Sequence, residues 1–278
     1  GVLLATTQVL IGVTLVLANR VEGGVVAYQI AFTFFLLPVA LAAHPIFTAL
    51  YPRLAAHAHA SRWAEFSDDV GEGVRLTTFA VLPAAALLAA LGSPALHLLR
   101  LGALDRTGAD LVAKTLAAYA IGLGGYAAFM LLARAAVAAG DARLPALVGI
   151  GVTVSGGLLM LIGTAVTTGT DRVVALGLAH SIAMTAGAVA LFVLLRKEIA
   201  RPIVVGPTLA RTLATAVAAG LSALAVARLL AGDGRLMAAV ALVAGLAVGG
   251  LVAVGGQALL RAPELAGIRR SFGRRASA

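Results

Sequence analysis

Few side chains in this sequence can do chemistry, and those that can sit inside apolar runs. Arg134 stands in "YAAFMLLARAAVAAGDARLP", about two helical turns before a polar break. A guanidinium there can pair a phosphate bidentately, or snorkel to the membrane interface along its aliphatic stem. An ionisable residue inside an apolar run is costly to insert, so it points to function by default. His44 precedes Pro45 in "LLPVALAAHPIFTALYPRL", where it can bond a freed carbonyl or carry a proton; His180 is a weaker case of the same kind. Gln8, Tyr28, Gln29, Thr33 and Tyr126 offer hydrogen bonds to sugars or phosphate, and equally to neighbouring helices. Asp141 and Pro145 punctuate "GDARLP" and are expected to shape a turn. Cysteine is absent and the five histidines are scattered. No Ser/His/Asp set, P-loop or metal-ligand constellation can be assembled, so neither covalent catalysis nor a metal or cofactor is expected.

The elements that must position these groups are helices, one of them broken. Pro38, Pro45 and Pro52 recur every seven residues, which places them on one helical face. Each removes a backbone donor and frees a carbonyl four residues earlier, on Phe34, Leu41 and Thr48. In a membrane such carbonyls survive only against protein or a water-filled cavity. Broken helices of this sort point to a transport pathway, the competing reading being a packing kink. The three prolines are therefore candidate gate positions.

The whole chain is read as an all-α membrane protein. Of its 278 residues 61% are hydrophobic and 12% charged, with a mean hydropathy of +1.01. That leaves too few charges to clothe a water-soluble domain. The net charge of +9 does not indicate nucleic acid, because the basic residues lie between apolar runs and in a short tail rather than on one solvated face. Eight spans are predicted, at about 1–19, 25–51, 74–96, 111–139, 145–168, 172–195, 207–231 and 235–260. One alternating set of connections (52–75, 140–145, 196–211 and the tail from 261) carries thirteen Lys and Arg, the other set seven. The richer side should be cytoplasmic, and with it the C-terminus. The polar stretch 52–73 reads as interfacial amphipathic helix, with Trp63 and Phe66 at headgroup level and Asp68, Asp69 and Glu72 facing water; an ordinary connecting helix fits equally.

Taken in order, these stretches resemble the MurJ/MviN-type lipid II flippases of the multidrug/oligosaccharidyl-lipid/polysaccharide exporter superfamily. Pro38 and Pro52, fourteen apart, are similar to the prolines of that family's eighth helix. "WAEF...GVRLTTFAVLPAAALLA" resembles its cytoplasmic helix and ninth span. "LAAYAIGLGGYAAFMLLARAAVAAGDARLP" resembles the tenth span and following loop, with Arg134, Gly140, Asp141 and Pro145 in register. The resemblance implies a six-helix C-terminal lobe over 1–200, two additional spans over 201–260 and a basic cytoplasmic tail over 261–278. These would form the second part of a fourteen-helix transporter whose N-terminal lobe lies outside this chain. It implies a multi-pass protein of the bacterial cytoplasmic membrane that flips an undecaprenyl-diphosphate-linked peptidoglycan precursor (lipid II) by alternating access, its diphosphate held by cavity arginines. The implied partners are that lipid and the bilayer, with cell-wall synthesis proteins as further candidates. Thr33 and Leu36 stand where many members carry Arg and Glu, and Gly156 and Met160 lie where many have Asn. Two other readings are a polysaccharide or drug exporter of the same superfamily, and a transport-inactive scaffold for cell-wall enzymes.

Overall fold

The structure is a computed structural model describing residues 2–99, 106–199, 202–232 and 234–264. Among these residues it is helical throughout, with ten α-helices and one π-turn. The helices are α1 (Val2–Ala18), α2 (Gly24–Pro38), α3 (His44–His59), α4 (Trp63–Leu99) and α5 (Arg106–Ile121). They continue with α6 (Leu123–Ala138), α7 (Arg143–Val166), α8 (Asp171–Ile199), α9 (Gly206–Leu229) and α10 (Arg235–Leu259). The π-turn, Val39–Ala43, joins α2 to α3 without a loop. Of the expected basic tail, residues 265–278 lie outside the described residues, as do Arg100 and Arg201.

Among the described residues six helical stretches are long and apolar enough to cross a membrane: Gly24–His59, Trp63–Leu98, Arg143–Val166, Asp171–Lys197, Gly206–Leu229 and Arg235–Leu259. The pair Thr107–Ile121 and Leu123–Ala138 is apolar enough together, bent by 47° at Gly122, as a broken span or a re-entrant loop would be. The shorter apolar helix Ala5–Ala18 occupies the place of the first predicted span. The fourth predicted span, 111–139, is thus two helices rather than one.

Two further expectations change around residues 52–73. The helix through the prolines does not end near 51 but runs to His59, and α4 starts at Trp63 after a three-residue turn. Ser61 takes a left-handed conformation there (φ 54°), and the Arg62 N–H reaches back to the His57 carbonyl. Helix α4 has 37 residues, about 56 Å, and so extends well beyond a hydrocarbon core of about 30 Å. Its first turns are not a water-facing surface. Phe66 is fully buried with Trp63 packed edge-on against it at 5.7 Å, and Asp69 is buried. Asp68 alone of the three acidic residues is exposed, Glu72 being half-buried. The charges can lie inside because they pair with α3, as described below.

The bundle closes through small residues. A methyl group on Gly122 would sit 2.4 Å from the Ser181 Cα, and one on Gly125 would sit 2.4 Å from the Thr185 Oγ1, so α6 and α8 touch almost backbone to backbone. On the far side Gly245 and Gly249 of α10 receive Leu91 and Leu87 of α4. Between these contacts lies an aromatic centre. Phe32 and Phe35 of α2, Tyr119 of α5 and Tyr126 of α6 surround the His180 ring at 5.1–6.2 Å.

Candidate functional site

The broken helix is built from the proline pattern. Pro45 has no N–H to give to Leu41, and the turn before it relaxes into π geometry, the His44 N–H bonding the Val39 carbonyl five residues back. Thr48 Oγ1 donates to the His44 carbonyl at 2.9 Å, satisfying another acceptor on this helix. Below the π-turn, α3 resumes with His44, Phe47, Thr48, Tyr51 and Pro52 projecting toward one side.

Those five residues and Arg134 of α6 line an open cleft of about 580 Å³. The Arg134 guanidinium lies 4.8 Å from the centroid of the Phe47 ring, a cation–π contact that holds it in place. One of its N–H groups, from Nη1, donates to the Met130 carbonyl at 3.1 Å. No carboxylate pairs with it among the described residues. A half-buried cation with most of its fork unspent, set among aromatic faces and an imidazole, is suited to an anion carrying sugar or other ring surface.

Of the residues singled out in the sequence, Arg134, His44 and Pro52 come together in this cleft. Tyr28 and Tyr126 belong instead to the aromatic centre, Tyr28 buried and stacked on Phe32 at 5.6 Å and Tyr126 edge-on to Phe35 at 5.3 Å. Thr33 is exposed on α2 and gives its hydroxyl to the Gln29 carbonyl of its own helix at 2.8 Å. Gln29 and Gln8 are exposed, on α2 and α1. Pro38 ends α2 just above the π-turn, and Pro45 is exposed just below it. Asp141 starts α7: its Oδ1 accepts the N–H groups of Arg143 and Leu144 at 2.7 and 3.0 Å. Gly140 ends α6 in the left-handed region (φ 91°), and Pro145 is buried in the first turn of α7.

Phe47, Thr48 and Tyr51 were not singled out as site residues. Their signal was available, since His44, Thr48 and Tyr51 follow one another at helical spacing on the face of the prolines. What sequence could not show is that α6 presents Arg134 to that face.

A second polar cluster joins α3 to α4. Arg53 pairs with the Asp69 Oδ1, and its guanidinium is also 3.2 Å from Glu72. His57 Nδ1 lies 2.9 Å from the Asp69 Oδ2, an electrostatic contact without hydrogen-bond alignment.

The family model for the lipid II flippase MurJ matches residues 2–249. Among solved structures the fold is similar to "Lipid II flippase MurJ, inward closed conformation", with a TM-score of 0.73 and 21% sequence identity. The match covers 93% of this chain and 52% of that one, so the chain spans about half the length of the protein it resembles. No curated protein matches the sequence.

Proposed function

The chain belongs to the lipid II flippase MurJ family, and from that premise we propose that it serves to flip an undecaprenyl-diphosphate-linked peptidoglycan precursor across the bacterial cytoplasmic membrane. The observation that carries this reading is the cleft in which Arg134 meets the proline-broken helix. The guanidinium takes the diphosphate, while Tyr51 and His44 offer ring faces to the sugars. The π-turn Val39–Ala43 is the joint at which α3 moves relative to α2, opening and closing the cleft by alternating access. No bond is made or broken in this process; the protein supplies a polar path for a headgroup that the hydrocarbon core would exclude.

Complementation tests the reading directly. The full-length protein should restore growth and precursor externalisation in a bacterium depleted of its own flippase. Arg134→Ala should reduce externalisation at least tenfold, and Arg134→Lys should recover only part of it, because an ammonium lacks the planar fork. Well-inserted protein that moves no precursor would overturn the flippase assignment in favour of a non-transporting scaffold.

A further inference from the structure

We infer that Asp69 is a positioning residue for transport: it ties the cleft-lining helix α3 to the start of α4, so that this stretch of α3 keeps its place against α4 while the cleft changes shape. The inference rests on the transport reading above. The Asp69 side chain is only 4% exposed, and a carboxylate withdrawn from water must be compensated by cations. Both of the groups that face its oxygens come from α3, the Arg53 guanidinium on Oδ1 and the His57 imidazole on Oδ2, one helical turn apart. Glu72, a turn further along α4, holds the same guanidinium from a second direction. Gly73 adds a close approach, since a methyl group there would meet the Leu50 side chain of α3 at 2.8 Å.

The tie sits where the helix needs it. Arg53 directly follows Pro52, and Pro45 lies two turns earlier, so this is the stretch of α3 whose own backbone ladder is interrupted. Tyr51 and Pro52, which line the cleft, are the residues just before the anchored Arg53. Across the cleft the connection to α6 is softer. It includes the Arg134–Phe47 ring contact and holds no ion pair between α3 and α6 among the described residues, whereas Leu131 of α6 meets Gly73 of α4. An α3 held by charge against α4 on one side and facing an open cleft on the other keeps its lower half in place while the helix flexes at Val39–Ala43.

These 278 residues contain no cysteine, so once any cysteine elsewhere in the full-length protein is replaced by alanine, the introduced thiols are the ones that react. In the full-length protein, Arg53→Cys/Asp69→Cys should lose at least fivefold of precursor externalisation when reduced, and regain at least half of it when a short bifunctional thiosulfonate rebuilds the tie covalently. Asp69→Asn should lose transport as well, with recovery in Asp69→Glu. In parallel, Thr48→Cys should be labelled by a membrane-impermeant thiol reagent at a rate that Asp69→Asn changes at least threefold. Full transport in both the reduced double variant and Asp69→Asn would overturn the inference, and so would arrest on cross-linking, which would mean that the tie must open. Labelling does not depend on which lipid is moved. An altered labelling rate in a protein that externalises no precursor would therefore sink the flippase reading and leave the tie standing, whereas an unchanged rate would remove the tie.

Discussion

Ser181 shows how much a single hydroxyl can hold at a helix break inside an apolar bundle. Its Oγ accepts the N–H of Gly122 at 3.0 Å and lies 2.7 Å from the Ala118 carbonyl and 3.1 Å from that of Tyr119. These are backbone groups at the break between α5 and α6, where the chain bends by 47° and the helical ladder is interrupted. In lipid an unpaired backbone group has no solvent to fall back on, so a side chain from α8 supplies the partner. Removing that partner should cost about 1–3 kcal/mol, the penalty for orphaning a buried polar group. Ser181→Ala should therefore lower the unfolding temperature of the detergent-solubilised protein. Gly122→Ala should lower it further, because the new methyl would meet the Ser181 backbone rather than a side chain that can turn away. Equal stability of Gly122→Ala and the parent protein would show that α5 and α8 do not approach so closely.

At the scale of elements, the decisive one is the continuous run α2, π-turn and α3. Pro45→Ala would return an N–H facing the Leu41 carbonyl and remove the reason for the π-turn. The expected outcome is a straighter, stiffer helix: higher thermal stability, and externalisation reduced several-fold. Transport unchanged in that variant would make the proline a packing feature. The break itself was legible, because proline spacing reports directly on backbone donors. Its form was not, since a π-turn and a plain kink have the same sequence. The ends of the neighbouring helices were hidden for another reason. Asp69 and Glu72 look like a solvated face when α4 is read alone, and Asp69 becomes an interior contact once Arg53 and His57 of α3 lie beside it. The bend at Gly122 was equally invisible among the chain's 32 glycines. Nothing local distinguishes a glycine that ends a helix from one that admits a neighbour.

At the scale of the whole molecule, contacts between connections fix which of them share an end. The segment before α9 folds onto the start of α4: Arg75 Nη1 donates to the Val204 carbonyl at 2.9 Å and Ser67 Oγ to that of Pro202 at 3.0 Å. Trp63, Asp141 and Ile199 line one pocket of about 160 Å³, which places the α3–α4, α6–α7 and α8–α9 connections together. The residues after α10 join them, because Glu264 pairs with Arg211 at 2.7 Å and accepts the Thr208 hydroxyl at 2.9 Å. Gln257 completes that buried cluster by donating to Thr215 at 2.8 Å. The four connections that share this end are the same set that carries thirteen of the basic residues against seven on the other. An excess of Lys and Arg in short connections marks the cytoplasmic side. A fluorescent protein fused after Glu264 should therefore light up, and alkaline phosphatase fused there should stay inactive. Phosphatase inserted at Gly169, in the α7–α8 turn, should be active. The reverse pattern would place the Asp69 tie and the α3–α4 turn on the outer face, and would invert the orientation proposed for the cleft.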